Sequence, residues 1–458
     1  MANIPLPLHS YSLDTASTAR LVNVMTEAAP PGAKAPIIMR RSPGIRPYLP
    51  CGNGPGRGMH VLAGVLYAVS GAQLYRVKTQ TAMGTVFGSN LTTSINSATQ
   101  LAISSGGRLY GFDGVTVTQA NDPDLAFPLG PIDFIDNYLV AVHAGTGQFI
   151  ASALADFTQF DGLDFATAEG APDNLITLIV DHRAILLGGE ETGELWENIA
   201  GTGFPFQRIA NGFFELGFAA ANGVCKQDNS VFWVASDRTF RRLVGPTPLR
   251  VSQFGVDRAW RAYSSVADAY CVPYTLEGHL CIGVNFPTAQ ASWIYDITAN
   301  EWNERETHPT TFWDVSAIVE LNETIYVQRA STGEIGILDP KTYTEWGRPL
   351  RAQWAYQPLY AQGDFVQVHR LQMGVEAGVG ADYTTVPRVE LERSRLSGRA
   401  GTFRPVGSRS LGLKGQYGTL LHWDGLGQGL DPVFRASLSA PVPLTLWDTV
   451  ADIEVLKT

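Results

Sequence analysis

The sequence predicts an all-β protein: a β-propeller of about six or seven blades, an additional antiparallel β-sandwich-like domain, and an extended N-terminal arm. Three observations carry this. Charged residues make up only 17% of the 458, while hydrophobic residues reach 45% and Gly and Pro number 47 and 27. With 10 Trp, 16 Tyr and 21 Phe, this composition excludes intrinsic disorder, and the missing heptad spacing excludes a coiled coil. Second, one local pattern keeps returning: a β-branched and aromatic run, a tight polar turn, then another such run. Third, its copies are spaced by roughly 30 to 50 residues, close to the ~40–45 of a four-stranded propeller blade.

In chain order the copies lie at 61–77, 101–117, 134–152, 175–199, 223–243, 270–286 and 317–338. Gly-Gly, Asp-Asn and Glu-Gly occupy the turns, where φ > 0 or side-chain-to-backbone bonding is required, so each copy predicts a hairpin. Seven such units closing into a ring would remove the exposed sheet edges that invite aggregation. Stacked sandwiches give similar local signals, but the spacing favours the propeller over 58–345.

The flanks differ. Residues 1–57 are Pro-rich and basic, with Lys34, Arg40, Arg41, Arg46 and Arg57. Proline lacks a backbone donor, so this stretch is expected to be an extended arm laid on another surface, with no helix and no central strand. After Pro349 the repeat stops. Alternating runs at 351–360, 366–378, 386–394 and 432–440 predict an antiparallel sandwich over 346–458. The Gly-rich 411–431 is expected as a long loop or strand edge; it has no GKS or GKT and no strand–helix context for a phosphate.

Net charge is −10, which excludes a global positive field for nucleic acid. Residues 121–345 hold thirty acidic against twelve basic residues, so the acidity is concentrated there. That is either a solubilising surface or a functional one. The opening MANIPLPLHSYSLD has neither a basic n-region nor an apolar h-region, and no run approaches the ~18 apolar residues of a membrane helix. Synthesis in a cytoplasm is expected. Cys51, Cys225, Cys271 and Cys281 lack CxxC spacing; buried reduced thiols are expected, with Cys271 and Cys281 as candidate cross-strand neighbours.

The carboxylate pairs are Asp161 with Asp164, Glu190 with Glu191, and Glu304 with Glu306. A glycoside hydrolase needs two carboxyls facing each other across a cleft, which sequence proximity does not supply. FDGLDF predicts turn-forming aspartates, and GGEETGELW a solvated hairpin tip. A sialidase-like site would draw on Arg241, Arg242, Arg250, Arg258 and Arg261 with Tyr263, but salt-bridged surface arginines are the plainer reading. The histidines at 9, 60, 143, 182, 279, 308, 369 and 422 show no HxH or HExxH spacing, and no GxSxG elbow occurs. Trp346 to Tyr360 with Arg348 and Arg351 offers stacking surfaces for single-stranded nucleic acid, yet it alternates as a strand whose aromatics pack into a core. The chemistry favours a binding or structural protein with no catalytic, metal or cofactor residues. A carbohydrate-binding or glycoside-hydrolysing propeller is the alternative.

Residues 157–310 then carry a resemblance. DFATAE–PDN, GELW, FPFQRI, DNSVFWV and GH–FP–W-YD–W-ER follow one another in order, and LVNVMTEAAP with RRSPGIRPY opens the chain. This succession resembles the packaged-DNA-stabilisation, or tail-nozzle, family of short-tailed bacteriophages. The resemblance implies a propeller with a second β-domain, assembled as a homo-hexameric ring in the virion. In such a particle the ring continues the DNA channel below the portal and adaptor proteins. It retains packaged double-stranded DNA without sequence-specific binding and anchors a tail spike, fibre, needle or plug. It brings no catalytic residues. Beside it, the acidic stretch is expected to line a conduit that repels DNA, which bears about one charge per 1.7 Å of axis. The basic arm is expected to make partner contacts through Arg40, Arg41 and Arg46, so that deleting 1–46 leaves the monomer folded.

Overall fold

The computed structural model describes residues 2–13, 16–97, 99–168, 170, 172–201, 203–380 and 386–457. Each of the seven hairpins falls in a different sheet. Blades 1 to 6 span 56–85, 93–119, 129–167, 175–214, 224–250 and 270–304, each a four-stranded antiparallel meander. The innermost strands touch in sequence from blade 1 to blade 7, and Ala317–Leu321 of blade 7 meets Gly56–Leu62 of blade 1. The propeller is therefore closed and seven-bladed. Asp136-Asn137, Asp228-Asn229, Glu277-Gly278 and Asn322-Glu323 all have positive φ, the left-handed pair whose twist matches antiparallel strands.

Neighbouring blades are locked by a regular ladder. The Asp133 carboxylate accepts the Val180 N–H (2.7 Å), Asp136 accepts from Arg183 (2.9 Å), and Gln227 donates to the Tyr274 carbonyl (3.0 Å). His182 Nε2 lies 2.8 Å from Asn229 Oδ1. Each of these four links joins positions 47 residues apart, a repeat written into side chains as well as strands.

The N-terminal segment is no arm. Gly44–Leu49 is the fourth strand of blade 7, antiparallel to Ile335–Asp339 through pairs such as Ile337 with Arg46. Ser17–Val22 lies between Ala352–Ala355 and the outer strand of blade 6, Glu301–Glu304. Ile37–Arg41 pairs with Val24–Ala28 and with Thr445–Leu456. The physical reason is that the prolines punctuate these strands: Pro36 and Pro43 flank Ile37–Arg41, and Pro47 sits in a strand with a register irregularity.

The second unit is a two-sheet sandwich. One sheet runs Val24–Ala28, Ile37–Arg41, Thr445–Leu456, Phe365–Val375, Leu421–Gly429. The other continues blade 6 through Ser17–Val22, Ala352–Ala355, Val433–Leu438 and Arg388–Ser394 to Arg404–Ser410. Trp354, Tyr356, Leu371, Trp423 and Leu446 fill its core together with Ile4, Leu21, Val24 and Met39 from the N-terminus. The Gly-rich segment contributes an edge strand at Leu421–Gly429, one of its two expected fates. The helix Phe254–Ala262 bridges blades 5 and 6, burying Val256 and Trp260 against Phe240, Phe286 and Trp302.

Candidate functional site

Among the described residues, none of the three carboxylate pairs is poised for acid–base work. Asp161 Oδ1 accepts the Leu163 N–H at 2.9 Å, the turn-former role expected of it. Glu190 and Glu191 sit at a hairpin turn whose N–H groups are held by the Asp173 carboxylate at 3.0 and 2.8 Å. Glu304 is bound by Arg20 at 2.6 Å, which raises the guanidinium pKa, while burial pushes the Glu306 carboxyl up. The Glu169 of DFATAE lies outside the described residues.

Three arginines of the sialidase-like set hold ion pairs, and Arg261 is exposed. Arg241 meets Asp237 at 2.6 Å, Arg242 meets Asp228 at 3.0 Å, and Arg250 meets the buried Asp257 at 2.5 Å. Arg258 is also engaged. Tyr263 Oη accepts Trp293 Nε1 at 2.9 Å, and burial pushes its hydroxyl up to about 12. Trp346, Trp354 and Tyr356 are buried and only Tyr360 stands out, so the stacking platform is mostly core.

Among the described residues, no three His, Cys, Asp or Glu converge as metal ligands. His279 is buried against Asp296 (Nδ1 to Oδ2, 2.6 Å), which raises the imidazole pKa. Register places Cys271 opposite Val284 and Cys281 opposite Tyr274, so those two cysteines are not cross-strand neighbours. All four cysteines are free. Burial, first, and then a hydrogen bond with Cys225 of the adjacent blade raise the Cys271 thiol well above its usual range.

The three basic residues expected to contact partners have different fates. Arg41 is 4% exposed, donating to the carbonyls of Ala440 (2.5 Å) and Val442 (2.9 Å). Burial pulls its pKa down to about 10. From this buried position it pins the sandwich's last loop. Arg40 bridges Glu27 (3.0 Å) and Glu277 (3.3 Å), joining sandwich to blade 6. Arg46 is exposed on the outer strand of blade 7.

Sequence reasoning also missed Arg57. It is 1% exposed and clamps the carbonyls of Asn90, Gly71 and Val86 (2.7, 2.8 and 3.0 Å) and the Ser105 hydroxyl. No local signal separates such an arginine from a surface one. A second omission had a signal: 388–409 contains six arginines against two glutamates.

Cavities lie where propellers leave space. One of about 880 Å³ opens on the axis, lined by Arg57, Asp268, Tyr270, His308, Asp314 and Arg329. Adjoining it, and sharing Arg57 and Tyr270, one of about 320 Å³ is walled by inner strands and bears Asp133 and Lys226. A third, about 210 Å³, sits between blade 6 and the sandwich beside Arg41, His279 and Arg305. In the first, the Ser331 hydroxyl donates to the Asp314 carboxylate at 2.5 Å, but Arg329 holds the same oxygen at 2.7 Å in an ion pair.

A family model described as "Bacteriophage P22 Gp10, beta-propeller" (Phage_stabilise) matches residues 12–343. No curated protein matches the chain. Solved structures that are similar include the computationally designed Ika8 protein (12% identity, TM-score 0.40, covering 70% of this chain and 99% of that one). The Cps50 (Swd1) β-propeller domain of Myceliophteria thermophila is another (10% identity, TM-score 0.43, 64% and 98%). A third is the extracellular domain of the putative hybrid two-component system BT4673 from B. thetaiotaomicron (12%, 0.43, 71% and 42%). At these scores the three say nothing of function.

Proposed function

We propose a structural role in the virion for this chain, which belongs to the Phage_stabilise family of phage P22 Gp10-type β-propeller proteins. In our reading it is the tail nozzle of a short-tailed phage. Six copies form a ring below the portal and adaptor, retain packaged DNA and seat a spike, fibre, needle or plug. The observation that carries the reading is the extent of the family match, which starts in the sandwich's first strands and runs through all seven blades. Two further features support it. Ion-paired arginines and scattered carboxylates favour a structural protein over the glycan-active propeller. The thirty acidic residues of 121–345 suit a wall that DNA passes without adhering. Arg40 and Arg46 are offered as contacts to neighbouring tail proteins; Arg41 is not.

Counting this chain against portal protein by quantitative mass spectrometry of purified particles tests the reading. About six copies per twelve portals is the expected result. Absence from particles overturns it and revives the glycan-active alternative, for which fluorogenic glycosides provide the assay.

A further inference from the structure

Among the described residues, unpaired arginines gather along one edge of the sandwich, whose Arg370 and Arg435 are held by Asp424 and Glu392. In the propeller, Arg183, Arg208, Arg241, Arg242, Arg250, Arg305 and Arg329 each sit within 4 Å of a carboxylate. In the sandwich, Arg388, Arg393, Arg395, Arg399, Arg404 and Arg409 form no ion pair among the described residues; the bonds they make are to carbonyls and to the Ser408 hydroxyl. Arg393 pairs in register with Arg404, and the guanidinium groups of Arg393 and Arg395 converge over Gly427. A terminal guanidinium nitrogen of Arg393 is buried without a partner. Like charges gathered this way repel, so the cluster is poised for an anionic surface. Leu396 and Val406 stand exposed among them.

The matching surface is on the opposite side. Asp156–Thr167, the outer edge strand of blade 3, is twelve residues long and exposes Leu163 (80%) and Phe165 (41%). Asp156, Asp161 and Asp164 flank them, with no basic partner among the described residues, and Asp122 and Asp124 pack alongside. In a closed ring of seven, blade 3 lies across the axis from blade 6, the blade that runs into the sandwich. The arginine edge is five strand steps beyond blade 6, about 24 Å at ~4.8 Å per step. The two surfaces therefore cannot meet within one chain.

The geometry points to a head-to-tail contact between two copies of this chain, in which the arginine edge of one sandwich seats on the acidic, apolar outer strand of blade 3 of the next. This rests on the self-association contained in the nozzle reading, and adds which surfaces make it. The contact is heterologous, so it propagates until a ring closes.

Sedimentation of the full chain in 25 mM and 300 mM NaCl tests this, with three variants whose near-UV circular dichroism matches the parent. These are R395E/R399E, D161K/D164K and the chain carrying all four changes. Association is expected in low salt, at least ~10-fold weaker in high salt and in either two-site variant. Mixing the two-site variants restores association, because the intact basic end of one meets the intact acidic edge of the other and their two reversed surfaces are complementary as well. The four-site chain regains association, since its charges are exchanged but still complementary. Two-site variants that associate like the parent, a four-site chain that stays monomeric, or a parent monomeric in 25 mM NaCl overturns the proposal. So does a parent that instead binds a 25-bp duplex through Arg395 and Arg399. Copy number in particles is read separately, so this contact and the nozzle reading fail independently.

Discussion

Removing residues 1–46 separates the two accounts of the N-terminus most sharply. An arm docked on a neighbour would leave a folded monomer behind. In the structure the same deletion takes out the sandwich strands Ser17–Val22, Val24–Ala28 and Ile37–Arg41 and half of blade 7's outer strand. Leu21, Val22, Val24, Met39 and Ile45, five large aliphatic side chains exposed by at most 1%, leave both cores. At ~1.5–3 kcal/mol per buried side chain the loss is about 10 kcal/mol, comparable with the ~5–15 kcal/mol that holds a domain together. The partners left behind, among them Trp354 and Leu446 in the sandwich and Trp346 and Leu338 in blade 7, would face water. We expect the truncated chain to lose near-UV circular dichroism, bind a hydrophobic dye and unfold without the parent's cooperative urea transition. A truncated chain with the parent's spectrum and transition midpoint would refute the placement of these strands. Ile45→Ala is the graded version. It should cost about 2–4 kcal/mol from lost burial and cavity, while Arg46→Ala on the same strand stays within ~0.5 kcal/mol.

Arg41→Ala should destabilise the sandwich by about 2–5 kcal/mol in urea unfolding, because the carbonyls of Ala440 and Val442 lose their donor. Trp302→Ala should cost about 3–5 kcal/mol, since the ring is fully buried against Trp260, Tyr295 and Phe240; heat or urea unfolding reports it. Burial raises Glu301 to about 7, and one of its oxygens is buried without a partner. The folded state therefore keeps its proton longer than the unfolded chain, so parental stability should fall as pH rises from about 4.5 to about 7, and Glu301→Gln should abolish that slope in transition midpoints. His279 acts in the same direction at higher pH: its raised pKa gives stability that is complete below the unfolded value near 6.5 and fades as pH climbs through the folded one. Asp296→Asn should lower the melting temperature most at low pH, and the gap should narrow as the solution becomes alkaline.

The blades were legible because their signals are local. Asp136-Asn137 or Glu277-Gly278 sits between two β-branched runs, and both the hairpin and its positive φ follow from those few residues. The N-terminal strands were not, because their partners lie hundreds of residues away: Ile45 pairs with Leu338, and Leu21 with Trp354. Nothing within a short window distinguishes a proline that bounds such a strand from one that forbids it. At the level of the site, the turn-forming Asp161 followed from its neighbours in FDGLDF, whereas the burial of Arg41 and Arg57 depends on carbonyls brought from elsewhere. The inter-blade Cys225 and Cys271 pairing was equally hidden, since only ring closure makes neighbours of successive inner strands.

The strand that completes blade 7 also imposes a schedule on biosynthesis. Gly44–Leu49 leaves the ribosome about 290 residues before Ile335–Asp339 exists to receive it, and Ile37–Arg41 waits longer still for Thr445–Leu456. At ~5–20 residues per second, that is an interval of about 15–60 s in which six blades can form while Gly44–Leu49 has no mate. A nascent segment held open for so long is a hazard if it is apolar and uninterrupted. Pro30, Pro31, Pro36, Pro43, Pro47 and Pro50, with Lys34, Arg40, Arg41 and Arg46 between them, keep it from pairing early with the wrong edge. The composition that resembled an arm in the finished protein serves a strand that is made first and used last.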